Sequence, residues 1–169
     1  FSIYVDMYLS KNDFSTAVNL LPLISVDFCI LDEENRLLFV KRNCRPAKDY
    51  LFTPGGRVRK NEKFGDAIKR ISQDEIGLSL NKNYNLINMG IWDHFYEDSA
   101  FDKDISTHYV NLPHLIRLNK DMQKLINIKF GKDCQHGNYK WIHIKDCFNH
   151  NNIHKYPKEY SKFIYTNFL

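Results

Sequence analysis

The tightest constraint on this 169-residue chain is a backbone breaker followed at once by an amphipathic helix. Pro54-Gly55-Gly56 suits neither a helix interior nor a central strand. After it, Phe64, Ala67, Ile68 and Ile71 recur at helical spacing, and Gly77 stands where a left-handed C-terminal cap belongs. At about 100° per residue from Phe64, Ile68 falls near ~40°, Ile71 near ~340° and Glu75 near ~20°. Glu75 therefore lies in the middle of the apolar stripe. An ionised carboxylate there is unfavourable unless a cation neutralises it. Two sources of that cation are open: an arginine such as Arg70, or a bound metal. A hard cation such as Mg2+ takes oxygen ligands, and a Pro-Gly-Gly turn can bring backbone carbonyls close to one. A frayed last helical turn would instead release Glu75 to water.

The segments around this core read as a mixture of hairpins and helices. Residues 23–31 (LISVDFCIL) are apolar and partly β-branched, with Asp27 interrupting them, and residues 36–40 resume an apolar run after a polar turn. This predicts a β-hairpin. Residues 42–50 read as a loop, residues 87–96 and 107–118 as two strands, and residues 139–144 as another. Pro157 is expected to open a final helix that buries Tyr160, Phe163 and Ile164. The mixture points to an α/β (α+β) sandwich rather than a regular βαβ array.

Length and charge bound the function. The chain is long enough for one domain with a real core. No apolar run approaches the roughly 18 residues that span a bilayer, so no membrane role is expected. An excess of 24 Lys+Arg over 20 Asp+Glu suits a small anionic substrate and is too slight to argue for nucleic acid. Cys29, Cys44, Cys134 and Cys147 form no C-x-x-C pair. Free thiols in a reducing cytoplasm are the expectation.

The central segment carries a resemblance. Gly56, Glu62, Arg70, Glu75, Gly77 and Leu78 stand at the spacings of the Nudix box, which is a glycine, five residues, a glutamate, seven residues, then R-E-U-x-E-E-x-G-U with U aliphatic. Ile71, Ser72 and Asp74 depart from it, where the general box has glutamate, an aliphatic residue and glutamate. The departures, with Asn12-Asp13-Phe14, Lys41-Arg42, Arg45-Pro46-Ala47, Pro54 to Val58, His94-Phe95-Tyr96, Thr107 to Val110 and Gln135-His136, resemble the GDP-mannose mannosyl hydrolases, a Nudix subfamily. The likeness runs from Met7 to the last helix. It implies a Nudix-type α/β/α sandwich with a mixed sheet over residues 7–169, and residues 1–6 are then expected to be an added leader.

The resemblance also implies a chemistry and a site. With two of the three glutamates of the R-E-U-x-E-E segment absent, one Mg2+ per subunit (Mn2+ substituting) would be held by Glu75, the carbonyl of Gly55 and the amide oxygen of Gln135. Water would attack the anomeric carbon of a GDP-sugar with inversion and expel GDP. His136 would be the general base. Arg42 and Tyr109 would stabilise the departing diphosphate, with Arg57 holding phosphate beside them. Asp27 and His94 would meet the sugar; Tyr8, Leu9 and Phe14 would meet the guanine. Glu62 and Arg70 are expected to pair, with each other or with Glu75. The family implies a homodimer and a place in polysaccharide biosynthesis. Residues 118–134 depart from its pattern, and His108, His114, His143, His150 and His154 read as structural or solvated. Two other readings stay open: a Nudix diphosphatase attacking phosphorus, and an inactive Nudix-fold binding module.

Overall fold

A computed structural model describes residues 9–80, 84–128 and 136–169. Among them, α1 (Lys11–Leu20) precedes the hairpin β1 (Leu23–Leu31) and β2 (Arg36–Arg42), then the short strands β3 (Leu51–Phe52) and β4 (Gly55–Arg57) and the central helix α2 (Phe64–Ile76). Strands β5 (Leu86–Asn88), β6 (Trp92–Tyr96) and β7 (Thr107–Arg117) follow, then α3 (Lys120–Lys124), β8 (His136–His143), α4 (Ile144–Cys147) and α5 (Lys155–Phe168). The spine of the sheet runs β3-β2-β1-β7-β5, with β4 on β1, β6 on β7 and β8 on β2. It is mixed: β1 and β7 run parallel over nine residue pairs, and β1 pairs antiparallel with β2 and β4.

Strand alternation divides the core into two layers, as a period of two requires. On β1, Val26, Phe28 and Ile30 pack with Ala67, Ile68 and Ile71 of α2, while Cys29 and Leu31 pack with Tyr160 and Ile164 of α5. On β2, Leu38 and Val40 join the first layer, and Leu37 and Phe39 the second. The result is the expected α/β/α sandwich with β1 at its centre. Asp27 falls in register with Cys29 and Leu31, so the alternation aims it toward α5.

Several expected boundaries move. Residues 87–96 are two strands, because Gly90 at φ +95° turns the chain between β5 and β6. The final helix opens at Lys155, two residues ahead of Pro157, with His154 as its N-cap accepting from the Tyr156 backbone N–H at 3.5 Å. Ile144 leaves β8 and starts α4. Helix α1 was not foreseen, although Ser10 and Asp13 carry a capping signal: the Asp13 backbone N–H donates to Ser10 Oγ at 3.1 Å. Gly77 caps α2 in the left-handed region (φ +71°) as expected. The expected leader, residues 1–6, lies outside the described residues, as do Tyr8 and Gln135.

Candidate functional site

Strand register assembles a polar floor on one face of the sheet. Ser25 pairs with Arg57 on one side and with Asn111 on the other; Asp27 pairs with Gly55, and His94 with Tyr109. Because side chains alternate, Ser25 with Asp27, Tyr109 with Asn111 and His94 with Tyr96 reach the same face. All six line a cavity of about 720 Å³. Leu9, Phe14, Phe52, Thr53 and Phe101 add apolar and hydroxyl surface to it, and Arg42, Arg45, Arg57, Arg59 and Arg70 bring five guanidinium groups. Such a wall is suited to an anion, with Arg70 and Arg45 also paired to the carboxylates of Glu62 and Asp98.

Arg42, Arg57 and Arg70 are pre-set. Arg42 Nε donates to the Pro46 carbonyl at 2.8 Å, and its guanidinium lies 5.7 Å from the Phe52 ring centre. Arg57 lies over the Phe14 ring at 4.5 Å, so that face of Phe14 is already covered. Burial lowers the Arg57 pKa, and the neighbouring Arg59 and Arg70 charges act the same way. Arg70 grips Glu62 with two bonds, Nε to Oε1 at 2.6 Å and a terminal nitrogen to Oε2 at 2.8 Å. The expected Glu62–Arg70 pair is therefore present, and the Arg70 hydrogen bond holds the Glu62 carboxyl below its usual range.

Glu75 is buried, with 6% of its surface exposed, so the last turn of α2 does not release it to solvent. Of the three carboxylates on α2, Asp66 and Asp74 stay exposed and only Glu75 is buried. Ile71, one of the positions that depart from the box pattern, is 1% exposed and packs in the core. Gly55 presses on Asp27 so closely that a Cβ would stand 2.2 Å from Asp27 Oδ1. Of the expected ligands, Glu75 offers a carboxylate and Gly55 a backbone carbonyl, both oxygen donors of the kind Mg2+ takes. Among the described residues no three His, Cys, Asp or Glu side chains cluster as a metal site.

Asp27 is the most perturbed acid. Burial pushes its carboxyl up to about 7, opposed by hydrogen bonds from Asn111 and Tyr160 and by the Arg42 charge, and reinforced by the Glu75 carboxylate. His94 is pushed down to about 3 by burial, helped by the His154 and Lys155 charges. It is a neutral imidazole near pH 7, stacked on Tyr156 at 3.8 Å and 11°. Tyr109 is half-buried, and burial raises its pKa against the pull of Arg42 and Arg57. The backbone of His136, first residue of β8, stands opposite Arg42 in the ladder with β2, so the register brings it to the arginine edge of the cavity. Sequence reasoning missed Asn111, Ser25, Tyr96 and Phe101. The first three sit two residues from, or in register with, residues that it did name, which is the signal that could have found them. Phe101, at 5.3 Å edge-on to Phe14, sits on a turn that periodicity does not describe.

Comparison with known proteins agrees with this architecture. The NUDIX domain family matches residues 21–164. The chain is 31% identical over 132 residues to the low-salt glycan biosynthesis protein Agl8 of Haloferax volcanii, covering 78% of each chain. Among solved structures it is similar to a MutT protein from Methanosarcina mazei Go1, with a TM-score of 0.67, 17% identity, and coverage of 88% of this chain and 97% of that one. It is also similar to the NUDIX domain of Shewanella oneidensis NrtR complexed with ADP ribose, with a TM-score of 0.60, 12% identity, and coverage of 91% and 97%. At such identities these two structures show the fold. No helix among the described residues is long and apolar enough to cross a membrane.

Proposed function

The chain belongs to the Nudix family of hydrolases, and from that premise we propose that it hydrolyses GDP-sugars, GDP-mannose foremost, to GDP and free sugar in a divalent-metal-dependent reaction at the anomeric carbon. One observation carries the reading: α2 buries a single carboxylate, Glu75, while Ile71 occupies the core at a position where the general Nudix box has a glutamate. A site with one helix carboxylate suits one Mg2+ (or Mn2+) rather than a cluster. Arg42 and Arg57 on the cavity wall favour a diphosphate. The kinship with a glycan biosynthesis protein favours a sugar nucleotide over other diphosphates.

Glu75, the Gly55 carbonyl and Gln135 would hold the metal, which when bound supplies charge that makes the diphosphate a better leaving group. Arg42 and Arg57 bind the diphosphate oxygens and balance the charge that grows as the carbon–oxygen bond breaks. Tyr109 adds an O–H donor. Asp27 and His94 orient the sugar hydroxyls. His136 takes a proton from the attacking water as it reaches the carbon on the face opposite the diphosphate, and the configuration inverts. GDP departs as a stable anion and needs no proton donor. Leu9, Phe14 and Tyr8 receive the guanine; with one face of Phe14 under Arg57, the base approaches the other surfaces. The active unit is a homodimer, as in the resembled subfamily.

Hydrolysis in 18O-water with Mg2+ tests the reading. Label in free mannose, with unlabelled GDP, is the expected product pattern. Label in GMP or in sugar phosphate would mean attack at phosphorus and would remove it. His136→Gln should slow turnover by about 10²-fold or more while GDP binding persists.

A further inference from the structure

Tyr160 does not line the cavity, yet its hydroxyl touches three residues that do. It lies 2.7 Å from His94 Nε2, 3.0 Å from Asn111 Oδ1 and 3.2 Å from Asp27 Oδ2. A core tyrosine ordinarily needs one partner for its hydroxyl. Here a single oxygen gathers side chains from β1, β6 and β7 at the tip of a residue from α5. The ring is held independently: it is fully buried, meets Trp92 edge-on at 5.0 Å, and packs in the layer with Leu115 and Ile164.

The hydrogen inventory sets the direction of the bonds. A phenol has one hydrogen and two acceptor lone pairs. Asn111 Nδ2 donates to Ser25 Oγ at 2.7 Å, which fixes the amide with Oδ1 toward Tyr160. The Tyr160 hydrogen is then shared between Asn111 Oδ1 and Asp27 Oδ2. With Asp27 ionised and therefore only an acceptor, the closest neighbour, His94 Nε2, is the donor into the phenolic oxygen, and the neutral ring carries its hydrogen on Nε2.

We propose that Tyr160 is a positioning residue of the site, whose hydroxyl fixes Asp27, Asn111 and the tautomer and rotamer of His94 against the sugar of the substrate. The inference rests on the GDP-sugar reading for its substrate and on the three contacts for its geometry. It makes α5 part of the active site, although α5 supplies no residue to the cavity wall. Tyr160→Phe removes one oxygen and keeps every ring contact.

Two measurements on the full chain test it. In Tyr160→Phe, kcat/KM for GDP-mannose should fall tenfold or more, while the inhibition constant of GDP, which has no sugar, should change less than twofold. Tyr160 as simple core filling predicts equal changes in both, and that result, or no change in either, overturns the proposal. The second arm needs no substrate and no variant: nitrogen-15 spectra of the histidine rings in the wild-type protein, recorded well above pH 7 with Asp27 ionised, should show His94 with a slowly exchanging hydrogen on Nε2. A His94 hydrogen on Nδ1, or one exchanging as fast as those of exposed histidines, overturns the proposal even where Tyr160→Phe fails to fold. If the wild type hydrolyses no GDP-sugar, the reaction assignment falls while the ring spectra still decide the Tyr160 contacts.

Discussion

Three glycines of the central segment should respond to one added methyl group in a fixed order. At Gly55, a Cβ would stand 2.2 Å from Asp27 Oδ1 and 2.5 Å from the Val26 carbonyl oxygen. The carboxylate could rotate aside, but Val26 is backbone in the middle of β1. To regain an ordinary 3.4 Å contact, β4 must lift by about 0.9 Å, against its three residue pairs with β1. Overpacking against rigid structure costs about 3 kcal/mol. For a chain of this size that lowers Tm by roughly 6–12 °C. At Gly56, the Cβ would meet Ile71 Cγ2 at 3.0 Å, a side chain that can shift, so the loss should be about 1 kcal/mol. At Gly65, in the first turn of α2, nothing lies within 4 Å. Alanine there removes a flexible helix residue and should gain about 0.5–1 kcal/mol. Thermal unfolding followed by circular dichroism, at one pH and with metal chelated, should rank Gly65→Ala above wild type, then Gly56→Ala, then Gly55→Ala. A Gly55→Ala protein as stable as wild type, or more stable than Gly56→Ala, would refute the packing of β4 on Asp27 from which the metal and sugar assignments start.

Other outcomes follow from the charges. Titrating Mg2+ to a hundredfold excess over its Kd should stabilise the wild type by about 2.7 kcal/mol, or roughly 5–11 °C in Tm. Glu75→Gln should show no such rise, and an equal rise in both proteins would remove Glu75 as a ligand. Asp27, with its carboxyl pushed up to about 7, binds its proton more tightly folded than unfolded, so its contribution to stability declines as pH rises from about 4 to about 7. Asp27→Asn should therefore gain stability relative to wild type across that window in metal-free buffer, and level off above it; a constant difference would show that the carboxyl titrates normally. Thr53 Oγ1 is buried with no hydrogen-bond partner among the described residues. Thr53→Val should thus be neutral or stabilising by up to about 1 kcal/mol in urea unfolding, and a loss of 2 kcal/mol would show that the hydroxyl is used.

The parts of the fold that were legible in the sequence are those whose reason is periodic. A helix that buries one stripe announced α2, and a carboxylate on that stripe left two outcomes for Glu75, burial or release by fraying, of which the structure shows burial. Alternation announced β1 and made Asp27 conspicuous. The site itself is a product of register, and register is set by pairings that no local window contains. Ser25, Tyr96 and Asn111 look like ordinary strand residues until β4, β1, β7 and β6 are laid side by side. Tyr160 is the limiting case. Helical spacing assigned it to the buried face of α5, which is where it lies, and spacing says nothing about a hydroxyl whose partners stand 49, 66 and 133 residues away. The same reasoning sorts the errors at element ends. Residues 87–96 read as one strand because both halves are apolar enough; only the positive φ at Gly90 separates them, and a glycine in a strand pattern signals that break only weakly. In this chain hydrophobic pattern decides which face is buried, whereas Asp27, His94 and Asn111 are polar groups left on that face. A buried polar residue at a periodic core position is therefore the sequence signal to follow to its partners, and here those partners converge on one phenol.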